Sequence, residues 1–317
     1  MTTGKSKERY RFGIGEWYGR SFIHLTPEDR RRYAELQFVE KSSRLEQSCP
    51  PRSSHGNLVR CSKEGGVCSL RMYGRTDTSS QVFVAPGAIG TLRTTCPHRF
   101  QQNGVIFRWI GETILGHPRP LIVGEIGFLE RPTNEVVAPG TVIDAEDVGR
   151  IDNVVIHPDR KPMHWCALEI QAVYFSGSSM TKEFRMLTSA VGPEFPFPKA
   201  HRHPDYRSSG PKRLMPQLQI KVPSLRRWGK KMAVVVDQGF FAALGRMDDV
   251  RDVSNCDVAW FVVKYDESGG EAVLTPDFVQ LTTLERAVEG LTGGRPVSLE
   301  TFELRIQEKL GHLGSGI

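Results

Sequence analysis

Residues 165–177 read WCALEIQAVYFSG and place two polar side chains, Glu169 and Gln171, inside a run of strand-forming residues. Residues two positions apart on a strand project from the same face, so this carboxylate and this amide point to one place. They indicate either a solvated sheet face or the edge of a site that binds a cation and a phosphate group.

A second strand-like run, residues 151–156, precedes this segment. The sequence between them, HPDRKP at residues 157–162, has the prolines and the aspartate of a turn, so we expect an antiparallel hairpin. A turn centred near residue 160 places Asp152 opposite Glu169 or one of the two residues before it. Directly opposed residues have Cβ atoms about 5 Å apart, so the two carboxylates are expected to converge.

Two carboxylates at such a distance repel each other and are costly to bury unless a cation joins them. Mg²⁺ suits these oxygen ligands, since it binds one or two carboxylates together with waters and phosphate oxygens. Asp152, Glu169 and Gln171 would then form a site for phosphodiester hydrolysis. The dipeptide Pro158-Asp159 falls in the turn and is not assigned to the site, whereas Glu125, near the end of an earlier apolar run, is a further candidate carboxylate.

Four of the six cysteines are clustered within the first hundred residues. Cys166 and Cys256 lie singly in apolar runs and are interpreted as ordinary buried thiols. The clustered set is Cys49, Cys61, Cys68 and Cys96. Their spacing is compatible with a four-thiolate metal site, with free thiols or with a redox pair, and His55 and His98 are possible substitute ligands.

The charge of the chain is modest overall but locally concentrated. It has 42 Lys+Arg against 36 Asp+Glu, a net charge of +6. Residues 199–231 are strongly basic and include Asp205 as their one acidic residue. This segment is either a solvated cationic loop or a surface that faces DNA or RNA.

The hydropathy of the chain is that of a globular protein. No stretch approaches the ~20 apolar residues that a membrane span needs, and the first residues lack the apolar run of a signal peptide. We therefore expect a cytoplasmic protein without a membrane partner.

The elements that must position these residues form an α/β pattern. A helix is predicted from a cap at Thr26 to about Ser42, followed by a loop-rich cysteine segment. Strands are predicted at 105–110, 120–126, 151–156, 165–174, 232–236 and 258–265, and helices at 276–289, capped by Thr275, and at 299–310. We expect an N-terminal module at 1–100, with a helix and a four-cysteine metal-binding region, and a core at 101–317 with a mixed sheet flanked by helices.

A series of short motifs carries a family resemblance. In chain order they are GEWYGR (15–20), SCPPR at Cys49, RCSKEGGVCSL around Cys61 and Cys68, TTCPHRF at Cys96, ALEIQAVYFSGS (167–178) and DVAWFVV (257–263). Together they resemble the NotI-like type II restriction endonucleases, a family of PD-(D/E)xK nucleases.

That resemblance implies a bacterial, homodimeric enzyme that uses Mg²⁺ to cut double-stranded DNA at a GC-rich palindrome, leaving 5′-phosphate ends. It implies a cleavage site formed by Asp152, Glu169, Gln171 and Glu125, with Gln171 where lysine is usual. It also implies a structural iron held by Cys49, Cys61, Cys68 and Cys96. Thiolate chemistry alone permits zinc as readily as iron.

Two other functions are compatible with the residues. A non-catalytic, metal-stabilised DNA-binding protein would use the cysteine module and the basic segment, with structural carboxylates. A thiol redox enzyme would need reactive cysteines and no bound metal. The facing carboxylates favour the nuclease, because they repel phosphate unless a cation intervenes.

Overall fold

The structure is a computed structural model. It describes residues 10–39, 47–53, 57–74, 90–128, 150–190, 197–293 and 297–314. The strands of these residues are β1 Tyr10–Trp17, β2 Arg20–Ser21, β3 Val67–Gly74, β4 Arg93–Thr94, β5 Leu121–Gly127, β6 Arg150–Ile156, β7 Trp165–Ile170, β8 Phe175–Gly177, β9 Arg202–Pro204, β10 Met232–Asp237, β11 Val258–Asp266 and β12 Val273–Thr282.

The α-helices of the same residues alternate with these strands. They are α1 Pro27–Glu35, α2 Val105–Ile110, α3 Thr181–Thr188, α4 Tyr206–Ser209, α5 Met215–Arg227, α6 Gln238–Ala242, α7 Leu284–Thr292 and α8 Leu299–Gly314.

The central sheet has the strand order β12-β11-β10-β7-β6-β5. Strand β10 is parallel to both of its neighbours, β7 and β11. The remaining pairs, β11–β12, β7–β6 and β6–β5, are antiparallel. This arrangement confirms the predicted mixed sheet with flanking helices.

Alternate residues of the central strands pack on opposite faces of this sheet. Val234 belongs to an apolar cluster that includes Leu218 of α5. Its neighbour Val235 packs on the other face, in a cluster with Ile106 and Ile110 of α2. Both faces are therefore covered, which explains why β10 is an uninterrupted run of apolar residues up to Asp237.

The hairpin β6–β7 has the predicted antiparallel pairing. Asn153 pairs with Leu168, and Val154 pairs with Ala167. The same register, carried one residue further, places Asp152 opposite Glu169. Val154 and Ala167 belong to the cluster on the α5 side of the sheet, so Asp152 and Glu169 project toward α5.

A second sheet, with the order β2-β1-β3-β4, lies in the N-terminal part. A fully buried ion pair joins this sheet to the next segment, because Arg99 Nε donates to Glu16 Oε1 at 2.9 Å. Arg99 Nη2 also donates to the carbonyl oxygen of Ala272 at 2.7 Å, beside β12 of the central sheet. One guanidinium group thus joins the N-terminal sheet to the backbone beside β12.

Two predicted elements have the wrong type. Residues 105–110, predicted as a strand, form helix α2, and residues 276–289, predicted as a helix, are divided between strand β12 and helix α7. A short run of mostly apolar residues such as VIFRWI fits a strand or a buried helix equally well, which explains the first error.

The second error arises from Pro276, the first residue of the predicted helix. It lies instead in β12, an edge strand, next to an irregularity in the pairing with β11. Proline is tolerated at such positions. The cap of the following helix is Thr283, whose hydroxyl accepts the N–H of Arg286, and not Thr275.

Two further predicted elements have the right type but a different length. Helix α1 is capped by Thr26, as predicted, but ends at Glu35 and not near Ser42, a residue that lies outside the described ranges. Strand β7 ends at Ile170, before Gln171. Within the described ranges, none of the helices is long and apolar enough to cross a membrane.

Candidate active site and cysteine cluster

Asp152, Glu169 and Gln171 line one cavity of about 590 Å³. The hairpin register brings the two carboxylates together, and Gln171 follows directly after the end of β7. The opposite wall of the cavity is formed by α5 and the helical turn before it, which contribute Lys212 and Lys221 among others. A second cavity of about 540 Å³ lies elsewhere, beside Lys63 and Met180, and contains none of these predicted site residues.

Glu169 is the buried member of the carboxylate pair. It is 5% exposed, whereas Asp152 is exposed and accepts the backbone N–H of Ile170 through Oδ2 at 3.2 Å. Burial, followed by the neighbouring charge of Asp152, raises the pKa of Glu169 to about 7, while Lys221 acts in the opposite direction. Such a strongly perturbed carboxyl in a cavity is typical of functional sites.

Lys221 is the site residue that sequence reasoning missed. It is 2% exposed, and its Nζ donates to Glu169 Oε1 at 2.5 Å and to the carbonyl oxygen of Arg150. The signal was present in the sequence, because Lys221 lies three residues after Leu218 and four before Leu225, on the apolar face of a helix. The prediction grouped it instead with the other cations of residues 199–231.

That basic segment is not a uniform cationic loop. It contains α4 and α5, and several of its cations are engaged by the protein itself. Arg202 pairs with the buried Glu183 at 2.9 Å, and Arg226 pairs with Asp257 and Glu285. Lys212 and Arg213, in contrast, line the cavity next to the carboxylates.

Gln171 contributes a neutral amide to the cavity. Its side-chain Nε2 donates to the carbonyl oxygen of Ala172 at 2.6 Å, and its backbone N–H donates to the carbonyl oxygen of Val235 in β10 at 3.0 Å. The position two residues after Glu169 therefore holds an anchored amide and no positive charge.

Glu125 is not brought into this cavity. The pairs on either side of it, Gly124 with Asn153 and Ile126 with Ile151, place it opposite Asp152 in the register of β5 and β6. Its side chain is nevertheless 78% exposed and lies 3.5 Å from Arg150. Its φ of 50° is rare for a residue with a side chain and costs about 1 kcal/mol, so the strand is distorted where it passes Asp152.

The four clustered cysteines lie in segments that are hydrogen-bonded in pairs, Cys68 with Cys96 and the segment of Cys49 with that of Cys61. The backbone N–H of Cys96 donates to the carbonyl oxygen of Cys68 at 3.1 Å. The backbone N–H of Cys49 donates to the carbonyl oxygen of Val59 at 2.7 Å, and that of Cys61 donates to the carbonyl oxygen of Gln47 at 2.8 Å. All four are free thiols. Burial raises the pKa of each one, and the nearby Cys96 raises the pKa of the other three further.

The structure does not confirm a metal at these cysteines. Among the described residues, no group of three or more His, Cys, Asp or Glu is arranged to hold a metal ion. His98 Nδ1 is buried without a hydrogen-bond partner, and His55 lies outside the described ranges. The four-cysteine metal site therefore stays a prediction.

A family model described as Restriction endonuclease NotI matches residues 36–274, a range that includes the four cysteines, both strands of the hairpin and α5. A search of the curated proteins gives no match.

The raised pKa of Glu169 predicts how stability depends on pH. In metal-free protein the folded state keeps the Glu169 proton up to pH about 7, whereas the unfolded chain releases it near the ordinary value of 4.5. The free energy of unfolding should therefore fall between these pH values, by about 3 kcal/mol from this group. Urea unfolding in a chelating buffer at pH 5 and pH 8 measures the change.

Asp152→Asn provides the control for this prediction. The variant keeps an acceptor for the N–H of Ile170 but removes the negative charge, so the pKa of Glu169 should fall and the loss of stability should shrink by about 1 kcal/mol. Other buried carboxylates are unchanged in this comparison. An identical loss in the parent and in Asp152→Asn would contradict the electrostatic coupling of the pair.

Proposed function

Because the chain belongs to the NotI restriction endonuclease family, and is thus a type II site-specific deoxyribonuclease, we propose that it hydrolyses DNA in the cavity lined by Asp152, Glu169 and Gln171. The observation that carries this proposal is the pair of facing carboxylates. They repel each other, one of them is buried, and both open onto a cavity whose opposite wall is basic.

The donor set fits Mg²⁺. Asp152 and Glu169 supply hard carboxylate oxygens on neighbouring strands, and a divalent cation between them would relieve their repulsion. When bound, the ion supplies a Lewis acid at the scissile phosphate and lowers the pKa of the attacking water. Gln171 has a neutral amide that orients water or substrate without acting as a strong base.

Lys212 and Arg213 supply the contacts to the DNA backbone in this proposal. Both line the cavity, so they bring positive charge to the side from which a phosphate would approach the carboxylates. Attack in line with the leaving oxygen yields a 5′-phosphate and a 3′-hydroxyl. A GC-rich palindrome as the target is supported by the family resemblance of the short motifs.

We extend the proposal to a homodimer, since a two-fold dimer matches a palindrome. Helix α8 supports it, because the helix exposes a stripe of apolar side chains: Leu299, Phe302, Ile306 and Leu310. Its first half carries Glu300 and Glu303, and its second half carries Arg305, Glu308 and Lys309.

These charges favour antiparallel pairing of α8 with α8 of a second copy. Placing Leu299 opposite the partner's Leu310 also places Glu300 opposite the partner's Lys309, whereas parallel pairing would bring like charges together. An isolated helix of this length is marginal in water and gains stability from such packing.

The cysteine segment is proposed to hold one structural iron, or zinc, through Cys49, Cys61, Cys68 and Cys96. The support is the electrostatic interaction of Cys96 with each of the other three thiols, together with the family resemblance. Thiolates that raise each other's pKa are stabilised when a cation joins them.

The cleavage proposal is tested with plasmid DNA and Mg²⁺. Asp152→Asn and Glu169→Gln should each lower the cleavage rate about 10³-fold or more, because transition-state charge stabilisation worth several kcal/mol depends on the metal. Asp159→Asn, in the exposed turn of the same hairpin, is the matched control and should cleave like the parent. Discrete fragments with 5′-phosphate ends are expected.

Two results would contradict the cleavage proposal. Cleavage by both carboxylate variants at the parental rate would show that the reaction occurs elsewhere. Intact plasmid with a shift in gel mobility, in parent and variants alike, would instead indicate a DNA-binding protein without catalysis at this site.

The dimer surface is tested by light scattering after size exclusion. Ile306→Glu should convert the dimer to a monomer, because it places a charge in the apolar stripe. Glu300→Lys should weaken the dimer, and combining it with Lys309→Glu should restore the dimer, because the exchange re-creates the opposite-charge pair. Glu271→Lys makes the same charge change elsewhere on the surface and serves as the control; a dimer that survives Ile306→Glu refutes this surface.

The cysteine proposal is tested by elemental analysis and absorbance. The purified protein should carry one metal per chain, and iron would give a visible thiolate charge-transfer band, while zinc would be colourless. Cys68→Ser should lose the metal and lower the melting temperature, whereas Cys166→Ser, at a lone buried thiol, should retain the metal. A parent protein that carries no metal and has the same melting temperature as Cys68→Ser would refute the site.

A further inference from the structure

We propose that Lys221 is the positioning residue of the cleavage site and supplies the positive charge that the neutral Gln171 does not. This inference rests on the proposed function, since it concerns the same two carboxylates. It assigns a role to a helix residue that lies fifty positions after Gln171 in sequence order.

The environment of Lys221 shows that packing does not explain it. The residue lies on the apolar face of α5, with Leu218, Val222 and Leu225 fully buried around it. An apolar side chain of similar length would fill this position without the cost of desolvating an ammonium group. A lysine at this position therefore has its explanation in its polar partners.

Those partners lie on the two strands that carry the carboxylates. Nζ of Lys221 contacts Glu169 on β7 and the carbonyl oxygen of Arg150, two residues before Asp152 on β6. The ladder pairs between β6 and β7 end at Asn153 and Leu168, so backbone pairing no longer sets the distance between the strands at the site itself. Lys221 bridges the strands beyond the last of these pairs.

The opposite charge for the Glu169 carboxylate comes from Lys221 and not from its neighbours in the strand. The Gln171 amide is directed to its own backbone, at Ala172, and carries no charge. The N–H of Ile170 fixes Asp152 at 3.2 Å but does not contact the Glu169 carboxylate. Lys221 contacts Oε1 of Glu169 and, together with the backbone N–H of Asp152, orients the carboxylate.

The test measures binding of Mn²⁺ to DNA-free protein by calorimetry, together with kcat and KM for cleavage. Lys221→Met keeps the length of the side chain and removes the charge. We expect its Mn²⁺ affinity to fall about tenfold or more and kcat to fall with it, as for other residues that orient metal ligands, while KM for DNA changes little. Lys221→Arg should restore part of the affinity.

Lys212→Met is the matched control. Lys212 lines the same cavity but makes no ion pair with Glu169, so this variant should raise KM for DNA and leave Mn²⁺ affinity unchanged. Should Lys221→Met fail to unfold cooperatively, Lys221→Gln takes its place, since it keeps a donor for the carbonyl oxygen of Arg150.

Two outcomes would overturn the role of Lys221. Unchanged Mn²⁺ affinity would reduce it to a packing residue, and tighter binding would make it a competitor of the metal. Asp152→Asn separates these outcomes from failure of the proposed function. If that variant loses Mn²⁺ affinity while Lys221→Met does not, the role of Lys221 alone is wrong; if neither variant loses affinity, the metal site itself is wrong.

Discussion

The repulsion between Asp152 and Glu169 is the constraint on which the rest of the site depends. Hairpin register brings the two carboxylates face to face, and burial of Glu169 makes their charges more costly. The fold tolerates this because Lys221 reaches the pair from α5, and because β10 holds the far side of β7 in parallel pairing. The central sheet and helix α5 thus hold two mutually repelling carboxylates together, and a divalent cation bound between them would reduce that repulsion.

Buried ion pairs recur outside the cavity. Glu16 with Arg99 and Glu183 with Arg202 are both almost completely removed from solvent. Such pairs contribute little net stability relative to apolar replacements, but breaking one of them leaves an uncompensated charge. Their effect here is to specify which segments meet, notably where Arg99 joins the N-terminal sheet to the backbone at Ala272.

The parts of the site that sequence could predict are local. The β6–β7 register follows from a short turn, so the proximity of Asp152 to Glu169 was available from spacing alone. Lys221 comes from a helix fifty residues away, and its place in the site depends on how α5 packs across the sheet. The structure places the Glu125 side chain outside the cavity, and its φ of 50° could not be predicted from the sequence, because the residue is not a glycine.

Strand β4 limits where the chain can be divided. Thr94 donates its N–H to Asp237 at the end of β10, and its carbonyl oxygen accepts the N–H of Val173, two residues after Gln171. Cys96 follows two positions later. The cysteine segment is therefore hydrogen-bonded to the backbone beside the cavity. A chimera that exchanges this segment by a junction near residue 100 would break these hydrogen bonds. A recombinant junction that respects these bonds would have to carry β4 together with the central sheet.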